Sequence, residues 1–493
     1  MNKTKSLLLA AGVLLALAFT LSCFGNDPDD PLTSGKASLA EKLKALEENA
    51  VSNTEYVFEL TRDENIEAQR LYYSGKENIT IRLTSSGGEK IISLTGNGSL
   101  FEIGQPEHNV TLILENGVTL LGHDSNEYPL IEVYWGGTLI MNDGAKISGN
   151  TNAASYNGGG IYVNFGTFIM EGGEISGNTA SYGGGVNVNA GTFTMKGGEI
   201  SGNTASYGGG GVFRSTSSEA IFNMEGGEIS GNTASSGGGV YSERGGNFTM
   251  KGGKISGNTA TGGGDGYAGG GGGVHTYNFT MEGGEISSNT ATNGNGGGVY
   301  TYNFIIESGK ISGNTAFSKG GGVFSDGTFT MKNGEISGNT ATNGDGGGVY
   351  VYNFAMEDGE ILGNTTSNSG GGVYISGTTA TMEGGNISDN TASDNGGGVY
   401  TASEFKMDGG EISGNTTSNN GGGVYHSSWS NHIKKTGGTI YGDNGSKGNK
   451  TTEGLGNAVY SSYVSSIMLR NTTAGPEINL DSSKSGETGG WEN

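Results

Sequence analysis

Three kinds of side chain recur at fixed places along this 493-residue chain and could carry chemistry: a carboxamide, a carboxylate and an aromatic ring. The carboxamides are Asn150, Asn178, Asn203, Asn232, Asn258, Asn289, Asn314, Asn339, Asn364, Asn390 and Asn415, each three residues after an isoleucine. Stacked amides hydrogen-bond to copies of themselves above and below, and asparagine tolerates the left-handed backbone of a turn. A structural ladder is therefore expected, rather than a ligand site. The carboxylates are Glu174, Glu199, Glu228, Glu285, Glu335, Glu360 and Glu411, a column interrupted by Lys254 and Lys310. Such a column could gather Ca²⁺, but a solvated face whose lysines ease like-charge repulsion is the simpler reading. The rings are Tyr162, Phe213, Tyr241, His275, Tyr300, Phe324, Tyr350, Tyr374, Tyr400, Tyr425 and Tyr460, joined in some units by Tyr277, Tyr302 or Tyr352. Alternation along a strand points them outward. Exposed rings can stack on sugar faces or anchor a protein. That makes Tyr241, Tyr300, Tyr302, Tyr350, Tyr352, Tyr374, Tyr400 and Tyr425 the candidate ligand-binding face. The alternative is that the rings stack on one another and cover glycine-rich corners.

Columns of this kind need a repeating support. The isoleucines fall at Ile147, Ile175, Ile200, Ile229, Ile255, Ile286, Ile311, Ile336, Ile361, Ile387 and Ile412, with a degenerate copy at Ile440. The commonest step is 25 residues, as from Ile286 to Ile311, and the longest is the 31 from Ile255 to Ile286. Each unit reads as three short extended runs separated by glycine: Gly-Gly-Val-Tyr-x-Tyr, Phe-Thr-Met and Glu-Ile-Ser-Gly-Asn. By alternation Val299, Phe304, Ile306 and Ile311 share one face, while Tyr300, Tyr302 and Glu307 take the other. So few inward groups cannot fold alone, and stacking the units makes one continuous core. The expected fold is all-β, a single-chain parallel β-helix of about 25 residues per coil, a rod on the order of 60 Å long. Glycine supplies 99 residues, but there is no Gly-X-Y period and there are five prolines, which excludes collagen. Val, Met and Ile kept in register argue against disorder.

Gly172-Gly173-Glu174-Ile175 overlaps Ile175-Ser176-Gly177-Asn178, and the pair recurs in most units. These motifs resemble the GGAI and FxxN motifs of the polymorphic outer membrane protein repeat, with Glu for Ala and Ile for Phe. The resemblance spans about residues 142–444. It implies a right-handed, pectin-lyase-like parallel β-helix on a bacterial surface, linked to adhesion. The chain departs from that family in showing no series of amphipathic ten-residue strands after the repeats.

In order, residues 1–22 read as a secretory signal: Lys3 and Lys5 precede an apolar run from Leu7 to Leu21. Cys23 is the one cysteine, so no intrachain disulfide can form. Its setting after Thr20-Leu21-Ser22 resembles a bacterial lipobox, which implies lipidation at Cys23, anchoring to a membrane and an outer-membrane location, facing either the surface or the periplasm. Residues 23–36 form a tether. Residues 37–50 hold a capping helix with Ser38 and Glu41 as a capping box and Leu39, Leu43 and Leu46 on one face. Residues 51–140 read as the first coils, residues 141–445 as regular repeats, and residues 446–493 as last coils, cap and polar tail. Extra length is expected at corners, in Gly262–Gly273 and Arg214–Ala220. The segment from Tyr425 to His432 is the most unusual surface stretch.

Net charge is −23, from 49 acidic against 26 basic residues, which disfavours nucleic acid as a partner. Five scattered histidines make no metal set, and no cofactor is expected. Gly122-His123-Asp124 matches one short polygalacturonase-like motif, without its companions. The preferred reading is a lipid-anchored surface or periplasmic rod, an adhesion or interaction scaffold for a host or matrix protein or a glycan, and not an enzyme. The alternatives are a carbohydrate-active β-helix enzyme, either a polysaccharide lyase or a glycoside hydrolase, and an inert spacer.

Overall fold

The computed structural model describes residues 30–152, 157–243, 247–263, 269–428, 432–442, 446–462, 468–472 and 475–480. Residues 1–22, read above as a secretory signal, Cys23, the first half of the tether, residues 429–431 and the polar tail lie outside the described residues. Within them the chain is a right-handed parallel β-solenoid of about 14 turns, each of about 26 residues.

One coil shows how the sequence makes three sides. Val299–Thr301 and Asn303–Ile306 lie on the first side, Lys310–Ser312 on the second and Thr315–Ala316 on the third. Each pairs in parallel with its copy in the next coil, through Val299↔Val323, Phe304↔Phe329, Ile311↔Ile336 and Thr315↔Thr340. The sides add up to sheets of 28, 15 and 12 strands. Two expectations change here. The first two runs share one long sheet instead of occupying separate sides. The third run stops at serine, Gly313 turns the chain at φ +62°, and Thr-Ala builds the remaining side. Two residues are too short a run to read as a strand from sequence, so that side was invisible.

The interior is a set of columns. Val299, Phe304, Ile306, Ile311 and Ala316 are all fully buried, as are their copies in neighbouring coils. Inward phenylalanines stack up the axis, with centroids 5.1 Å apart for Phe248–Phe279 and 4.7 Å for Phe279–Phe304. Corners demand glycine because coils nearly touch there. A Cβ on Gly297 would sit 2.4 Å from the carbonyl oxygen of Gly321.

At the N-terminal end, Leu39–Asn49 is the helix expected, with both halves of the capping box formed. Leu39, Leu43 and Leu46 join the same apolar core as the coils. The N-terminal coils continue the same sheet, since Ile79–Ser85 pairs with Val110–Leu114, which pairs with Gly137–Met141. At the other end Met468–Thr472 pairs in antiparallel fashion with Gly475–Leu480, which stops the parallel stack.

The insertion at Arg214–Ala220 is not at a corner. It interrupts the long sheet between Val212–Arg214 and Ala220–Met224, both of which pair with the single strand Val186–Met195. Those two runs are collinear, so length added between them bulges from the middle of a face. Part of the other insertion, residues 264–268, lies outside the described residues.

Candidate functional site

The amide ladder is continuous. The backbone N–H and Nδ2 of Asn314 both donate to Oδ1 of Asn339, at 2.9 Å each. Asn339 repeats this with Asn364, and its Nδ2 also donates to the carbonyl of Ile311 at 3.0 Å. The same pattern links Asn178, Asn203, Asn232, Asn258, Asn289, Asn364, Asn390 and Asn415 to their neighbours. All are fully buried. With every polar atom bonded inside the rod, this column holds the fold together and presents nothing to a ligand. The ladder also takes in Asn126 and Asn449, which the repeat pattern missed. Asn449 stands nine residues after Ile440 instead of three, so the fixed spacing does not find it.

The glutamate column is a surface network. Lys310 meets Glu335 at 3.0 Å and Lys254 meets Glu228 at 3.8 Å. The Ser337 hydroxyl and then Lys310 hold the Glu335 carboxyl below the usual carboxylate range. A parallel column escaped the sequence reading: Glu171–Lys196 at 2.7 Å, Glu225–Lys251 at 3.8 Å and Glu307–Lys332 at 2.9 Å. Solvent screens exposed pairs of this kind, so they keep like charges apart more than they stabilise. Among the described residues no three His, Cys, Asp or Glu side chains converge as a metal set. His123 is tied to backbone, its Nε2 lying 2.6 Å from the carbonyl of Gly96.

The outer rings form a second stack. Centroids lie 4.9 Å apart for Tyr300–Phe324, 5.2 Å for Phe324–Tyr350, 5.0 Å for Tyr350–Tyr374 and 4.5 Å for Tyr374–Tyr400. Tyr425 and Tyr460 continue it at 5.1 and 5.5 Å. Lys319 sits over the Tyr350 ring, 4.6 Å from its centroid. The expectation of open rings is therefore corrected for most of the candidate face. Tyr300 is 5% exposed, and Tyr241, Tyr350, Tyr374, Tyr400 and Tyr425 are half-buried. Neighbouring rings consume the ring faces, and the glycine corners let the rings lie flat: a Cβ on Gly270 would fall 2.3 Å from Tyr300 Cδ2. His275 takes a place in this stack between Tyr241 and Tyr300, at 4.8 and 4.5 Å. Burial pushes its imidazole down to about 4.

Tyr302 and Tyr352 differ. They are 36% and 43% exposed, two residues farther along the strand than the stack. Tyr302 stacks on Tyr277 at 4.9 Å with the rings 3° from parallel. The next coil offers Gly327 beneath Tyr302, and Gly377 lies beneath Tyr352, so each ring rests on a glycine backbone. Along this row Tyr302 and Tyr352 stand two coils, about 10 Å, apart.

The profile of a family described as right handed beta helix region matches residues 272–440, within the most regular coils. No curated protein and no solved structure matches the chain. Fold and family profile agree on a pectin-lyase-like, right-handed parallel β-helix.

Proposed function

We propose that this protein is a lipid-anchored β-helical rod of the bacterial cell envelope, a non-catalytic scaffold that displays a repetitive face for adhesion or another interaction. The observation that carries the reading is the pair of exposed rings Tyr302 and Tyr352 on one row of a rigid sheet, with half-buried Tyr277 stacked on Tyr302. Rings of this kind offer large apolar area at low entropic cost to a sugar face or a protein side chain. A fixed spacing lets one partner engage several rings at once, which multiplies weak contacts. The likeness of the Gly-Gly-Glu-Ile and Ile-Ser-Gly-Asn motifs to surface repeats supports the location. The lysines, apolar run and Ser22-Cys23 junction of residues 1–23 support the anchor.

The test is binding of the full chain to arrays of glycans and matrix proteins, beside a Tyr302→Ala, Tyr352→Ala double variant. Loss of binding with an unchanged melting curve assigns the row as the interaction surface. Equal binding by the variant, or none by either, removes the reading. For the anchor, Cys23→Ser should move the protein from the membrane to the soluble fraction, and retention in the membrane would contradict it.

A further inference from the structure

The outer ring column has a break. Register places Asn187 between Tyr162 and Phe213, its partners on the coils to either side. Asn187 is 2% exposed. Where the ring is missing, the surface opens into a cleft of about 350 Å³. Half-buried Tyr182 walls it beside Tyr162 and Phe213, which are 8% and 6% exposed, and Asn187 and Asn189 face it. The Tyr182 ring leans on Phe213 at 4.8 Å, tilted by 56°, so it does not close the stack.

The insertion in the long sheet supplies the far wall through Ser215, Thr216 and Ser217. That loop is pinned. Arg214, itself 6% exposed, donates from Nε to the Ala220 carbonyl at 2.8 Å and from Nη2 to the Ser217 carbonyl at 3.1 Å. Thr216 N–H donates to Glu243 Oε2 at 3.1 Å. On the other side Asn189 Nδ2 donates to Asn164 Oδ1 at 3.1 Å. Walls fixed in this way cost a ligand little ordering entropy.

Rings beside carboxamides and hydroxyls suit one class of small molecule: a sugar, whose C–H face lies on an aromatic ring while its hydroxyls both donate and accept. The volume lies at the lower end of ligand sites, which run from about 300 to 1,000 Å³. Among the described lining residues the one charge is the carboxylate of Glu243, on a chain of net charge −23. That opposes an acidic sugar. We propose that this cleft binds a neutral saccharide of one or two pyranose rings, without uronate or sulfate. The site deepens the interaction reading but lies apart from the Tyr302–Tyr352 row, so each can fail without the other.

The experiment is calorimetric titration of the full chain with lactose, cellobiose, maltose and chitobiose, and with digalacturonate as the acidic control. Asn187→Phe continues the ring column across the gap. It should weaken binding of the preferred neutral disaccharide at least about tenfold while leaving the melting temperature unchanged or higher. Asn189→Ala alters an exposed side chain and should weaken binding about threefold, which keeps the test decisive if Asn187→Phe misfolds. Asn187→Phe should cause the same loss when made in the Tyr302→Ala, Tyr352→Ala background, which separates this site from that row. Binding of no neutral disaccharide, tighter binding of digalacturonate, or undiminished binding by a folded Asn187→Phe protein and by Asn189→Ala would overturn the assignment.

Discussion

The N-terminal coils and the regular coils fill the same columns with different residues. Up the long sheet, Ile81, Leu112 and Leu139 are followed in register by Phe168, Phe193 and Phe222. One place along, Leu83 and Leu114 give way to Met141, Met170 and Met195. The asparagine ladder starts at Asn126, so the earlier coils rely on packing of dissimilar aliphatic side chains. On the outside, Arg82 bridges Glu55 and Glu115 on the coils to either side. The contrast concerns register. Where neighbours differ, shape alone fixes which residue meets which. Where coils are near-copies, a slip by one residue must be penalised in another way. A buried amide supplies that penalty, because misaligned it leaves polar atoms without partners.

The sharpest way to break this contrast is Asn339→Ala. It removes the acceptor of two bonds from Asn314 and the donor to Ile311, all inside the rod. Orphaned buried groups cost about 1–3 kcal/mol each, so we expect a loss of about 2–4 kcal/mol. Nearest-neighbour coupling in a solenoid should confine the damage to adjacent coils. Hydrogen exchange would then show lost protection around residues 311–364 and little change in residues 55–141. An unchanged exchange pattern would mean that the ladder is not what holds the regular coils.

Acid should separate the regions next. His275 and His426 are buried in the regular and C-terminal coils, and burial holds each imidazole down at about 4. The unfolded chain takes up protons near pH 6.5 and the folded chain near 4, so stability is full above 6.5 and falls as pH drops between those values. The loss reaches about 3 kcal/mol for each histidine by pH 4. In the N-terminal coils His108 and His123 are only half-buried. At pH 5, exchange should therefore accelerate around residues 241–300 and 401–461 before residues 55–141. His275→Phe keeps a ring in the stack without a titrating group, and should erase the effect in the first of those segments. Uniform acceleration along the rod would refute the assignment.

Much of this architecture was legible in the sequence because a repeat reports its own register. Ile311 and Asn314 recur with their spacing intact, and both stand fully buried in their columns. The Thr315–Ala316 side was not legible, since two residues carry no alternation. The exposure of the rings was not legible either. Strand alternation gives the direction of Tyr300 but not what meets it, and what meets it is His275 and Phe324 on either side with Gly270 alongside. The cleft at Asn187 is written in the sequence as one aromatic place without a ring. Reading it as a cleft needed the position of the Ser215–Ser217 loop, which the corner assignment had misplaced.

The smallest effect concerns the glycine that precedes the regular ladder asparagines from Asn150 to Asn415, held at positive φ, as in Gly338 at +60°. Near-copies have replaced it in two coils: Ser288 adopts φ 57° and Asp389 adopts φ 55°. The left-handed region costs a residue with a Cβ about 1–2 kcal/mol, less for Asp or Asn, whose short polar side chain bonds locally. Ser288→Gly should therefore stabilise by about 1 kcal/mol, net of the entropy glycine loses on folding. Asp389→Gly should gain less. A third change, Gly338→Ala, has open space around its Cβ and so isolates the backbone term from steric clash. Thermal melts ordered Ser288→Gly above Asp389→Gly above the parent, with Gly338→Ala below it, would show that backbone conformation selects the residue at this turn. A destabilised Ser288→Gly would show instead that the serine hydroxyl contributes more than its strained backbone removes.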